Sequence, residues 1–82
     1  MKNIWLKCQV AKGMFPDERT VTLNTEPDKV SVFCHKDFVE NDMLKVALIE
    51  ERNREVLVRL PVESPVGQLF WVSMKDVAEC AV

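Results

Sequence analysis

Cys34 and His35 stand side by side, and a thiolate beside an imidazole is the pairing that holds zinc or builds a nucleophile. The spacing works against both uses. Neighbouring strand residues point to opposite faces, so these two side chains cannot easily converge on one ion. Structural zinc sites also bring cysteines in pairs about two to four residues apart, whereas Cys8, Cys34 and Cys80 are scattered along the chain. The expectation is buried, apolar thiols and no metal. His35 is the single histidine; a catalytic triad would need an orienting carboxylate and a nucleophile beside it, and no motif supplies them. Gly13 and Gly67 are isolated, so no glycine-rich phosphate loop exists. No catalytic residue and no cofactor is expected, and the chain is not read as an enzyme.

A different chemistry lies in apolar side chains that one small core cannot use. Trp5, Phe33 and either Phe70 or Trp71 fall opposite the inward residues of their segments, and Met14 and Phe15 lie in a loop between Gly13 and Pro16. Clusters of aromatic and Met side chains rimmed by charge mark protein interfaces. The bland alternative is that the Met14–Phe15 loop plugs an open barrel end. Trp5, Met14, Phe15, Phe33 and Trp71 are thus the candidate partner-binding residues.

The elements that must position them follow from period-two alternation, the pattern of half-buried strands. Ile4, Leu6, Cys8 and Val10 share one face, and Trp5, Lys7 and Gln9 the other. Arg19 to Thr25 alternates again with Val21 and Leu23 inward, and Glu26-Pro27-Asp28-Lys29 reads as a tight turn. Val30, Val32 and Cys34 face inward opposite Ser31, Phe33 and His35. Residues 37–42 read as a loop carrying Phe38 and Val39 back to the core. Leu44, Val46 and Leu48 mark a fourth strand. Asn53 suits a positive φ at a hairpin turn. Val56, Val58 and Leu60 form a fifth strand ended by Pro61, and Gln68 to Ser73 a sixth. Met74 to Val77 reads as a short helical turn or final strand. No internal repeat and no low-complexity segment is evident.

The stretch from Glu55 to Pro61, a Pro-bearing loop, and the run from Gly67 to Val77 resemble the ending of SH3-like barrels. There a strand, a Gly-containing turn and a strand with an aromatic-Val pair lead into a short helical turn. The resemblance covers roughly residues 43–77. It implies an all-β, five- to six-stranded, SH3-like, partly open barrel, with an OB-like barrel as the alternative. It carries over no functional residue. Peptide-binding SH3 domains build their proline groove from tyrosines; this chain has no Tyr, and Ser73-Met74-Lys75-Asp76 stands where Pro-Ser-Asn-Tyr would.

At 82 residues the chain allows a single domain, expected over residues 1–77 with 78–82 as a C-terminal tail. Eleven basic against thirteen acidic residues, interspersed in sign, make nucleic acid an unlikely partner compared with a protein or a second copy of the chain. The nucleic-acid alternative would draw on Lys7, Lys12, Lys36, Lys45 and Arg59. An odd cysteine count fits a reducing compartment, and no stretch approaches the roughly 20 apolar residues of a membrane helix. A cytoplasmic, non-catalytic interaction module is the expected function.

Overall fold

The computed structural model describes residues 2–25 and 29–79. Its strands are β1 (Lys2–Lys12), β2 (Glu18–Leu23), β3 (Val30–His35), β4 (Val39–Glu40), β5 (Met43–Arg52), β6 (Glu55–Ser64), β7 (Gly67–Ser73) and β8 (Val77–Glu79). All pairings are antiparallel, in the order β3-β2-β1-β5-β6-β7, with β4 added on β5 and β8 on β1. The sheet is strongly curled into a half-barrel. The expected turn at residues 26–29 falls largely outside the described residues.

The alternation places the core. Ile4, Leu6, Cys8, Val21, Leu23, Val32, Cys34, Leu44, Val46, Val56, Val58, Leu60 and Val72 are buried, with no buried polar or charged residue among those described. Each such aliphatic side chain contributes about 1.5–3 kcal/mol of transfer free energy. Curling lets the concave face of one sheet enclose this set, so no second layer is needed.

Three local expectations change. Pro61 does not end its strand, which runs on to Ser64. The β6–β7 register breaks between Arg59 and Ser64, and β5 pairs with β6 only as far as Arg59, so no ladder asks for the missing N–H. Phe38 does not return to the core; it lies exposed on a 3-10 turn, Lys36–Phe38, while Val39 packs inward. The sheet also extends past residue 77, because Ala78 and Glu79 pair with Trp5 and Ile4; the rest of the expected tail, 80–82, lies outside the described residues.

The pairings also reveal a repeat where none was expected. β1, β2, β3, the 3-10 turn Lys36–Phe38 and β4 recur as β5, β6, β7, the 3-10 turn Met74–Asp76 and β8. A shift of 38 positions carries Leu6 to Leu44 and Val39 to Val77, and with them the Val39–Leu44 pair onto the Val77–Leu6 pair. Leu6 pairs directly with its own counterpart Leu44, which places the approximate two-fold between them. The turns agree as well. Lys36 N–H donates to Asp17 O at 2.8 Å, as Met74 N–H does to Arg54 O at 2.9 Å. Asp37 N–H donates to His35 Nδ1 at 3.1 Å, as Lys75 N–H does to Ser73 Oγ at 3.2 Å. Each half gives its short last strand to the long first strand of the other.

Candidate functional site

The β1–β2 connection is built around a tight turn. Gly13 N–H donates to Glu18 O and Glu18 N–H to Phe15 O, both at 3.0 Å, so four residues, Met14 to Asp17, form the tip. Glu18 Oε1 accepts from Met14 N–H at 2.7 Å, and Arg19 Nη1 donates to Pro16 O at 2.8 Å and to Glu18 O at 2.9 Å. The backbone of the tip is therefore held while its apolar side chains stay out. Met14 is 82% exposed and Phe15 66%. The tip does not plug the barrel.

Phe33 lies on the outer face of β3, paired with Thr20 and 58% exposed. Phe15 and Phe33 line one trough of about 360 Å3 with Asp17, Glu18, Cys34, His35 and Val62. Val62 reaches it because β6 passes close to β3 across the mouth of the half-barrel. Alternation predicts neither Val62 nor the acidic wall, since both depend on how the sheet curls.

The two tryptophans lie elsewhere. Trp5 is half-buried on β1, paired with Lys45 on one side and Ala78 on the other. Trp71 is half-buried on β7, with the Arg52 guanidinium 4.0 Å from its ring centroid. The structure thus unites Met14, Phe15 and Phe33 around the hairpin tip and β3, and leaves Trp5 and Trp71 apart from them.

Cys34 and His35 face opposite sides of β3, buried and exposed. Among the described residues no group of three or more His, Cys, Asp and Glu side chains is placed to hold a metal ion. The Cys8 thiol is pushed up from its ordinary value near 9 to about 11, by burial first, then by the Asp42 carboxylate and Cys34. Burial also raises Cys34, with Glu18 adding to it. Both thiols are free, and at neutral pH they are protonated, apolar core groups. Among the described residues no helix is long and apolar enough to cross a membrane.

Comparison with known proteins finds no matching family model, no matching curated protein and no matching solved structure.

Proposed function

We propose that this chain is a non-catalytic protein-interaction module that docks on a partner protein through the β1–β2 tip and the outer face of β3. One observation carries the reading: Phe15 and Phe33, two large aromatics largely outside the core, line the same trough. A domain this small has little stability to spare, and neither ring contributes to its core. Apolar surface held on a fixed backbone and rimmed by charge is the anatomy of a docking surface. The odd count of three cysteines supports a reducing, cytoplasmic setting. The trough is lined by Glu18 and by Asp17, which is paired with Lys36, and by no Lys or Arg, a lining that disfavours a phosphate backbone as the ligand.

Site-specific photo-crosslinking in the native host tests this. A benzophenone side chain at position 15 or 33 is expected to give one discrete adduct of the same mass. The same probe at Ser31, also exposed on β3, should not. An adduct of twice the chain's mass would replace the partner with a second copy of the chain. Identical patterns at all three positions would overturn the reading.

A further inference from the structure

The two halves of the molecule serve as controls for one another. Phe33 and Trp71 occupy equivalent positions, two residues before the 3-10 turn caps His35 and Ser73. Each also pairs across to the matching strand, Phe33 with Thr20 on β2 and Trp71 with Leu57 on β6. In the second half the ring is covered by the guanidinium of Arg52. Arg52 pairs with Glu55, and the matching rung of the first half joins Glu18 to Gly13. The position that carries the covering arginine is therefore a glycine in the first half.

No nearby cation replaces it. Arg19 spends its Nη1 on the backbone oxygens of Pro16 and Glu18, and Lys36 Nζ lies 3.3 Å from Asp17 Oδ1. The stack of Arg52 on Trp71 thus has no counterpart on Phe33 among the described residues. The first half keeps what such a stack needs. Phe15 and Phe33 supply aromatic surface, Val62 an aliphatic wall, and Asp17 and Glu18 negative charge.

We infer that the trough takes an arginine side chain of the partner protein, supplying from outside what Arg52 supplies from within the chain. The inference rests on the reading of this trough as the partner surface and adds the chemistry of what enters it. Arginine is favoured over lysine because a planar guanidinium stacks on a ring while its edge hydrogen-bonds a carboxylate. Glu18 can receive it on Oε2 while Oε1 keeps Met14 N–H and the tip stays held.

The test is an NMR titration of the isotope-labelled full chain with three capped pentapeptides, identical except for a central Arg, Lys or Leu. The Arg peptide is expected to shift the amides of Phe15, Glu18, Phe33 and His35 saturably, with affinity roughly fivefold above the Leu peptide. Phe33→Leu keeps an apolar side chain but removes the ring, and should abolish that preference while leaving the core amides of Val21 and Leu44 in place. Asp17→Asn with Glu18→Gln should weaken the Arg peptide several-fold and leave the Leu peptide unchanged. If the Leu peptide shifts the same amides as tightly, the arginine assignment falls and the docking surface stands. If no peptide shifts them, the arginine assignment also falls, and the crosslinking result alone decides the docking surface.

Discussion

At the residue scale, the cysteines show how burial converts a reactive group into a structural one. Cys8 and Cys34 alternate inward among aliphatic neighbours, and removing water from a thiolate costs far more than removing it from a thiol. A folded-state value near 11 against an unfolded value near 9 means that the folded chain holds the Cys8 proton longer. Its contribution to stability is full below about pH 9 and is lost as pH rises towards 11. Urea denaturation across that window should show a falling midpoint for the parent chain and a smaller fall for Cys8→Val. Equal falls would mean that another group titrates. The inward set, Cys8 and Cys34 included, is legible in the sequence because a half-barrel keeps strict alternation. The fates of the outward aromatics are not. Trp71 and Phe33 look alike in the sequence, and only the position of Arg52 on a neighbouring hairpin separates them.

At the scale of elements, the two hairpins differ in a way that sets their roles. The β5–β6 hairpin closes in two residues, Asn53 and Arg54, with Asn53 at φ 35°. Asn tolerates this left-handed region, Gly occupies it freely, and β-branched residues resist it. Asn53→Gly should leave the chemical-denaturation midpoint close to the parent's. Asn53→Val should lower stability by roughly 1–2 kcal/mol. Equal effects would show that the turn does not constrain the hairpin. The β1–β2 hairpin spends four residues where its counterpart spends two, and those extra residues carry Met14 and Phe15.

That difference also hides the repeat from the sequence. The shift between halves is 38 from β1 to β5, where Leu6 becomes Leu44. It is 37 from β2 to β6, where Val21 becomes Val58 and Leu23 becomes Leu60. It returns to 38 from β3 to β7, where His35 becomes Ser73. The shorter second tip removes two residues, and a bulge between Leu48 and Glu50 restores one. A search at one fixed period passes over such a pattern. Strand existence was legible because each segment carries its own alternation; the pairing of strands far apart in sequence was not.

At the scale of the whole molecule, the exchanged short strands bind the halves into one cooperative unit. β4 completes β5, and β8 completes β1, so neither half has a finished sheet alone. The two turns that link a short strand to a long one would be equivalent if the chain were a ring. One exists, at Asn41 and Asp42, both at positive φ between β4 and β5. On the other side β8 and β1 lie in paired register, Glu79 beside Ile4. A circular permutant that begins at Asp42, ends at Asn41 and joins Val82 to Met1 through a short Gly-Ser linker keeps every residue, the Asp42 carbonyl that accepts from Cys8 N–H included, and should reproduce the native amide spectrum in the core. Loss of that spectrum would show that the order of the halves matters. Retention would show that the fold does not depend on which half the ribosome makes first.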